Sequence, residues 1–242
     1  MSAFVPASHR ELDRRGTALT GTRSWPALAV LLLAAFVAVE VLLLALGLLV
    51  THVLAYGAVH RDETAFERAI LAHRTPLLDQ LSRGGTLLGA TTTVIALTAV
   101  ACVLLAWRGH GPGLPMFLVL AVAGETALFV LASLVVHRMR PTIPHLDPAP
   151  PTSSFPSGHT AATVALWGGL ALGLLRTHPG HRLRHVAAAA AVLLPLFVLL
   201  CRLYRGMHWP TDVTASVLFT TGWLLLLRAV LLPTSKAAPP RR

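Results

Sequence analysis

Long apolar runs dominate this sequence and constrain its fold more than any other feature. The chain has 242 residues, of which 55% are hydrophobic and 12% are charged, whereas a soluble domain carries about twice that charged fraction. Several runs approach or exceed the roughly 20 residues that a helix needs to cross a bilayer. A soluble helical bundle is the alternative interpretation, but the length of the runs argues against it. The sequence therefore predicts an all-α, polytopic membrane protein.

Six transmembrane helices fit the sequence, and they define one membrane domain over residues 25–232 between basic tails at 1–24 and 233–242. Their approximate ranges are 26–50, 84–107, 114–137, 158–176, 185–203 and 212–232. Segment 61–83 carries apolar residues near one helical face and charges between them, which predicts a short amphipathic helix on the membrane surface, interrupted at Pro76. A packed helix outside the membrane fits equally well. In both interpretations this segment is scaffold rather than site.

The distribution of basic residues predicts the orientation. Cytoplasmic loops carry an excess of Lys and Arg, and the excess here lies with the two tails once the arginines of the site are set aside. We therefore expect both termini in the cytoplasm, the plasma membrane as the location, and loop 138–157 on the extracytoplasmic side. The net charge of +10 does not predict nucleic-acid binding, because the basic residues flank apolar runs instead of covering one face.

Three polar clusters fall on the predicted extracytoplasmic side: "HRMRP" at 137–141, "FPSGH" at 155–159 and "CRLYRGMHWPTD" at 201–212. Arginine forks suit phosphate oxygens. The second cluster opens a predicted span, where free backbone N–H groups bind anions, and Gly158 lets an anion approach the backbone closely. The clusters together predict a phosphate site.

The histidines of these clusters indicate catalysis. His208 and Asp212 are four residues apart at a helix start, so the carboxylate can reach the imidazole, fix its tautomer and stabilise the imidazolium. Pro210 fits the first turn of that helix. His159 is then available as an acid toward the leaving oxygen. This chemistry predicts phosphoryl transfer through a phosphohistidine. A structural polar cluster that braces the outer loops is the alternative.

The clusters resemble the type 2 phosphatidic acid phosphatase superfamily, which also includes the vanadium haloperoxidases. The family pattern is Lys-x6-Arg-Pro, then Pro-Ser-Gly-His, then Ser-Arg-x5-His-x3-Asp. The matching residues are Arg140, Pro141, Pro156, Ser157, Gly158, His159, Arg202, His208 and Asp212. The resemblance covers roughly residues 60 to 230 and implies the integral-membrane lipid phosphatase branch, since the chain lacks a large soluble helical domain.

The resemblance also implies a role for each matching residue. His208 would be the nucleophile, Asp212 its partner and His159 the general acid. The phosphate would be bound by Arg140, Ser157, Gly158 and Arg202. No metal and no cofactor is implied, because the arginines supply the positive charge that a magnesium ion would otherwise bring.

Two positions depart from the family pattern. The lysine falls on Ser133, and Cys201 replaces the serine with a weaker donor. Among nearby cations that could replace the lysine, we favour Arg138 over His137, because an arginine is charged at every relevant pH. A catalytic Cys201 is not favoured, because a cysteine phosphatase would have arginine at the position of Met207.

The implied function is hydrolysis of a membrane lipid phosphate or diphosphate, such as undecaprenyl diphosphate, phosphatidate or phosphatidylglycerol phosphate. Transfer of the phosphoryl group to another lipid headgroup is one alternative, and a catalytically silent lipid-binding or transport relative is another. Glu40 and Glu125 fall inside predicted spans, where a carboxyl group is costly. For Glu125, a hydrogen bond within the bundle is favoured over a place on a headgroup route.

Overall fold

The computed structural model describes residues 24–177 and 183–232. Within these ranges the regular elements are helices, and no strand is present. They are α1 (Trp25–His52), α2 (Ala58–Ala72), α3 (Pro76–Leu88), α4 (Thr91–Trp107), α5 (Gly113–Val135), α6 (Gly158–Thr177), α7 (Leu183–Tyr204) and α8 (Pro210–Leu231), with a short 3₁₀ turn at Leu54–Tyr56. The predicted basic tails lie outside the described residues, except for residue 24.

The described helices confirm the prediction of an all-α bundle with several spans. Five segments are long and apolar enough to cross a membrane: Trp25–Tyr56, Gly113–Val135, Gly158–Leu175, His185–Tyr204 and Pro210–Leu231. Helices α3 and α4 meet at a bend of 50° and together supply a sixth. Many large apolar side chains on these segments face outward, including Val30, Leu42, Val103 and Leu134. Such faces are stable where the solvent is lipid.

The predicted boundary between a surface helix ending at residue 83 and a span starting at 84 is wrong. Helix α3 continues to Leu88, and the chain bends at Gly89 before α4 begins. A side chain at Gly89 would place its Cβ 2.8 Å from the carbonyl oxygen of His159. The bend therefore packs directly on the first turn of α6. The predicted interruption at Pro76 is confirmed, because Pro76 starts α3 after a Thr75 cap on the Leu78 amide.

Helix α6 occupies the centre of the bundle and packs against α5, α7 and α8. Its contact with the neighbouring spans uses small residues, as is usual where helices approach closely in a membrane. In the core, a Cβ at Gly168 of α6 would lie 2.8 Å from Leu224 of α8, and a Cβ at Gly173 would lie 2.2 Å from Leu114 of α5. This packing fixes the first turns of α6 and α8 side by side, where the polar clusters lie.

Helices α2 and α3 are amphipathic, as predicted, but their polar face is the buried one. Phe66 is 41% exposed and Leu77 is 65% exposed, whereas Glu63 and Glu67 are 4% and 1% exposed. The apolar faces point away from the protein and are suited to lipid. The acidic residues point inward, so this segment contributes charged groups to the interior of the bundle.

Candidate active site

Five of the predicted site residues line one cavity of about 580 Å³ at one end of the bundle: Arg140, Gly158, His159, Arg202 and His208. They come from loop 138–157, the start of α6, the end of α7 and the α7–α8 connection. Three other predicted residues, Arg138, Ser157 and Asp212, do not line it. The cavity also has apolar walls from α4 and α5, so one space joins charged groups to hydrocarbon.

His208 lies in the short connection that joins α7 to α8. Gly206 allows the chain to turn there, because its φ of 71° is in the left-handed region. The imidazole is 4% exposed, and its Nδ1 lies 2.7 Å from Ser154 O. A carbonyl oxygen can only accept, so Nδ1 carries the hydrogen and Nε2 keeps its lone pair. The backbone of Ser154 therefore fixes the tautomer that a nucleophilic Nε2 requires.

Asp212 does not make the predicted hydrogen bond to His208. Its Oδ2 lies 3.9 Å from His208 Nδ1, which is beyond hydrogen-bond distance. That oxygen instead accepts from the Trp209 amide at 2.9 Å, at the start of α8. At 3.9 Å a carboxylate still stabilises a positive charge on the ring, because the surroundings are buried. The predicted pairing is thus electrostatic, and the tautomer depends on Ser154.

The environment of His208 favours the neutral ring. Burial lowers the pKa of His208 well below its ordinary value, and the positive charges of Arg202 and Arg140 act in the same direction. A neutral imidazole has the free electron pair that attack on phosphorus needs. At neutral pH the Nε2 electron pair of His208 is therefore unprotonated.

Arg140 and Arg202 each have a buried donor without a partner in the described part of the chain. Arg140 Nη1 donates to Met207 O at 2.7 Å, and Arg202 Nη1 donates to Asp147 Oδ2 at 2.8 Å. The Nε atom of each arginine is buried and has no hydrogen-bond partner within 24–177 and 183–232. A buried donor without an acceptor is costly. Two of them on one cavity favour an anionic ligand.

Asp147 is a site residue that the sequence analysis missed. Its carboxylate contacts Arg202 and also accepts from Arg205 Nε at 2.8 Å and Arg205 Nη2 at 2.7 Å. Burial opposes its charge, but the hydrogen bonds and charges of the two arginines lower the pKa of Asp147. The signal in the sequence is that Asp147 is the acidic residue of loop 138–157. This side of the cavity already accommodates one anion.

Arg138 does not have the placement expected of a phosphate ligand. It is 7% exposed and donates through Nη2 to Glu63 Oε2 at 2.7 Å, and through Nη1 to Thr211 Oγ1 at 2.6 Å and to Asp212 Oδ1. Both sides of the guanidinium are thus paired away from the cavity. The alternative, His137, is exposed and does not line the cavity either. Neither cation takes the place of the family lysine.

Glu63 explains why Arg138 is held in this position. Its Oε1 accepts from the amide and hydroxyl of Thr211 at 2.9 and 2.6 Å, while its Oε2 accepts from Arg138. Helix α2 is therefore joined to the first turn of α8, directly beside Asp212. No residue of segment 61–83 lines the cavity, so this contact holds Arg138 in place, as expected of a scaffold. The sequence signal was a glutamate on the polar face of an amphipathic helix.

At the start of α6, backbone amides are available to the cavity, whereas the side chain of Ser157 is not. The Ser157 amide donates to Ser216 Oγ at 2.8 Å and its hydroxyl lies 3.0 Å from Thr160 Oγ1, so both are occupied inside the protein. The first helical bond runs from Ala161 N to Ser157 O. The amides of the preceding residues, which include Gly158 and His159 at the cavity, have no acceptor in their own helix. They are suited to bind an anion.

The two departures from the family pattern lie off the cavity. The Ser133 hydroxyl donates to Val130 O at 2.9 Å, and the buried Cys201 sulfur packs where a Cβ at Gly85 would lie 2.3 Å away. Within the described residues no group of three His, Cys, Asp or Glu side chains could hold a metal ion. The positive charge at the cavity comes from arginine.

The chain is similar to a known family and to proteins of known activity. The family model of the PAP2 superfamily matches residues 114–234. The chain is 27% identical over 171 residues to phosphatidylglycerophosphatase B of Bacillus subtilis (strain 168), which covers 70% of this chain and 82% of that protein. It is 34% identical over 110 residues to an undecaprenyl-diphosphatase of Sulfolobus acidocaldarius, and the aligned region covers 45% of this chain and 46% of that protein.

A solved structure has the same fold. It is the crystal structure of a transmembrane PAP2-type phosphatidylglycerolphosphate phosphatase from Bacillus subtilis, which superposes with a TM-score of 0.73 at 20% sequence identity. The match covers 84% of this chain and 98% of that chain. At this identity the likeness concerns the arrangement of the helices.

Proposed function

Because the chain belongs to the PAP2 superfamily, we propose that it is a membrane lipid phosphatase that hydrolyses a lipid phosphate or isoprenyl diphosphate. One observation carries the proposal: two histidines and two arginines with unsatisfied Nε donors line a cavity with apolar walls. The charged groups suit a phosphate, and the apolar walls suit the lipid attached to it. Similarity to a phosphatidylglycerophosphatase and an undecaprenyl-diphosphatase supports the same substrate class.

The first chemical step is attack by His208 Nε2 on phosphorus. A bond forms between Nε2 and phosphorus while the bond from phosphorus to the lipid oxygen breaks, and His159 donates a proton to that oxygen. Arg140, Arg202 and the first amides of α6 stabilise the charge on the three other phosphate oxygens. The lipid alcohol, or the lipid monophosphate from a diphosphate, then leaves.

The second step releases phosphate. His159, now neutral, accepts a proton from water, and the water oxygen attacks the phosphorus of the phosphohistidine. The bond from Nε2 to phosphorus breaks, so neutral His208 is regenerated and inorganic phosphate is released. No metal is needed, because the arginines carry the positive charge. Phosphate release should therefore survive EDTA.

Asp212 lies near Nδ1 of His208, on the side of the ring away from the attacking Nε2, and Arg138 acts through Asp212. Phosphorylation of Nε2 makes the ring positive, and the Asp212 carboxylate 3.9 Å from Nδ1 stabilises that charge. Arg138 holds Asp212 in place and is itself held by Glu63. Arg138 is in this scheme a positioning residue, which never contacts the substrate.

The side of the membrane follows from the distribution of arginines. We place both termini in the cytoplasm and the cavity on the extracytoplasmic face of the plasma membrane. A cysteine at Ala149, an exposed residue of loop 138–157, should react with an impermeant thiol reagent in intact cells. The background must lack Cys102 and Cys201. Labelling that requires cell lysis would reverse the orientation.

Phosphate release from purified protein tests the function itself. The panel should hold phosphatidate, phosphatidylglycerol phosphate and undecaprenyl diphosphate in detergent micelles, each with EDTA. We expect turnover of at least one lipid and inhibition by vanadate, which mimics five-coordinate phosphorus. A protein that binds these lipids and releases no phosphate from any of them is a silent relative. Appearance of the phosphoryl group on an added lipid alcohol would identify a phosphotransferase.

A further inference from the structure

The half of the cavity that lies deeper in the bundle is largely apolar and contains one carboxyl group. We call it the inner half; its walls come from α4, α5 and α6 and comprise Thr91, Val94, Ile95, Val122, Glu125, Thr126, Phe129 and Ala162. Glu125 belongs to the span Gly113–Val135 and is 1% exposed. Glu125 lines the cavity, which distinguishes it from an ordinary core residue.

Glu125 has little partnership within the protein. Its Oε2 accepts a long hydrogen bond of 3.4 Å from the Thr126 hydroxyl, and that hydroxyl bonds more closely to Val122 O at 2.9 Å. Within the described residues Glu125 makes no ion pair with Arg, Lys or His. A carboxyl group inside a membrane span is expensive, and such residues usually bind a substrate or an ion. The hydrogen-bonding capacity of Glu125 is therefore available to a ligand.

The depth of Glu125 defines which part of a lipid it can contact. The ring of Phe129 packs on the phosphate end of the cavity, since a Cβ at Gly158 would lie 3.0 Å from it. Glu125 precedes Phe129 by four residues, so it lies on the same helical face about 6 Å further into the membrane. A lipid with its terminal phosphate at Gly158 and its chain in the inner half passes Glu125 just beyond the phosphate.

We propose that Glu125 binds the free hydroxyl of a glycerol linker next to the phosphate and so favours lipid phosphates that carry this hydroxyl over isoprenyl monophosphates. A hydroxyl can both donate and accept, so it pairs with a carboxyl group in either protonation state. An isoprenyl monophosphate has no polar group at that depth, and would leave the carboxyl group unsatisfied. This inference rests on the proposed phosphatase function and adds the substrate class.

Two lipids that differ by one hydroxyl test the inference. One is an oleoyl lysophosphatidate, and the other is its analogue without the glycerol hydroxyl. Wild-type protein should hydrolyse the hydroxylated lipid with a kcat/KM roughly three- to tenfold higher, the value of one hydrogen bond. Glu125→Leu should abolish this preference by raising the KM for the hydroxylated lipid alone. Glu125→Gln, which keeps hydrogen-bonding groups, should retain most of the preference.

Glu40→Leu is the matched control, because Glu40 is also a span carboxyl group but does not line the cavity. It should leave the preference unchanged. Equal losses on both lipids in Glu125→Leu, with the preference intact, would assign Glu125 to packing. A wild-type protein that hydrolyses both lipids equally overturns the inference even if no variant folds. Absence of phosphate release from every lipid refutes the phosphatase proposal instead, so the two failures are distinguishable.

Discussion

Two arginines separated by one residue have opposite surroundings in this protein. Arg140 lines the cavity, and its buried Nε has no partner among the residues that the structure describes. Arg138 is paired on both sides, with Glu63 and Asp212, and lies off the cavity. In the proposed mechanism Arg140 binds the phosphate of the substrate, whereas Arg138 holds Asp212 in place beside His208.

His208 is where the two regions meet, so its loss should have the largest effect. We expect His208→Ala to lower kcat by on the order of 10³-fold or more, about 4 kcal/mol, because the covalent route is lost. The measurement is phosphate release by purified protein, with circular dichroism as the control for folding. Near wild-type turnover in a folded His208→Ala variant would refute the phosphohistidine mechanism.

Removing the paired arginine should mainly affect stability. Arg138→Ala leaves Glu63 and Asp212 buried without their cation, so we expect a loss of about 3–5 kcal/mol in unfolding free energy. Arg138→Lys keeps the charge and should lose less. The measurement is thermal unfolding in detergent, with Arg140→Ala as the matched control. If Arg138→Ala keeps the wild-type Tm and raises KM, Arg138 is a phosphate ligand after all.

Removing an open arginine should affect the reaction more than the fold. Arg140→Ala and Arg202→Ala each remove charged hydrogen bonds to the phosphate, worth about 1.5–3 kcal/mol. We expect kcat/KM to fall about 10- to 100-fold in each variant. Steady-state kinetics on a micellar lipid phosphate provides the value. A larger loss in Arg138→Lys than in Arg140→Ala would reverse the assignment of the two arginines.

The pH profile of kcat/KM should report the same two regions. Burial and the charges of Arg202 and Arg140 lower the pKa of His208. Activity should therefore persist at pH values below the ordinary histidine pKa of 6.5 and should be lost only at a much lower pH. Arg140→Gln removes one of these charges and should move the acidic limb to higher pH. Arg138→Lys keeps its charge and should leave the limb in place. A wild-type limb at about 6.5 would contradict the buried, neutral His208.

The smallest effect is expected from two glutamates on α2 that differ in pairing. Glu63 is paired with Arg138, whereas both carboxyl oxygens of Glu67 are buried without a partner in the described part of the chain. Burial raises the pKa of Glu67 from 4.5 to about 8. The folded state thus favours the proton, and stability is lost as the pH rises from 4.5 through 8.

Glu67→Gln should therefore raise the Tm by about 2 °C or more at pH 9 and by less at acidic pH. Glu63→Gln should lower the Tm, because Arg138 and Thr211 lose a charged acceptor. Thermal unfolding of both variants across this pH range makes the comparison. A Glu67→Gln variant that is less stable than wild type at pH 9 would indicate a partner for this carboxyl group.

The sequence predicted the cavity residues that belong to local motifs. Arg202 and His208 flank one short connection, and Gly158 and His159 open one helix, so their spacing alone brings each pair to the same end of the bundle. The predicted spans were also close to the observed helices. Apolar length and helix-start residues are local signals, and they are readable without a structure.

Partners contributed by distant segments could not be predicted in the same way. The carbonyl of Ser154 fixes the His208 tautomer, but a backbone group leaves no mark in a sequence. Glu63 and Asp147 reach their arginines from other parts of the fold. Arg138 was expected at the phosphate because of its charge alone, and its partners Glu63 and Asp212 are distant in the sequence.

The central claim is that Ser154 directs the Nδ1 hydrogen of His208 and leaves Nε2 to attack phosphorus. Phosphorus NMR of the phosphoenzyme, trapped by rapid alkaline quench and digested, distinguishes the two ring nitrogens, and peptide mass spectrometry identifies the residue. We predict a phosphoryl group on His208 Nε2, which is absent from His208→Ala and formed more slowly in Arg140→Ala. A phosphoryl group on Nδ1 or on another residue, or turnover without any phosphohistidine, would contradict the account.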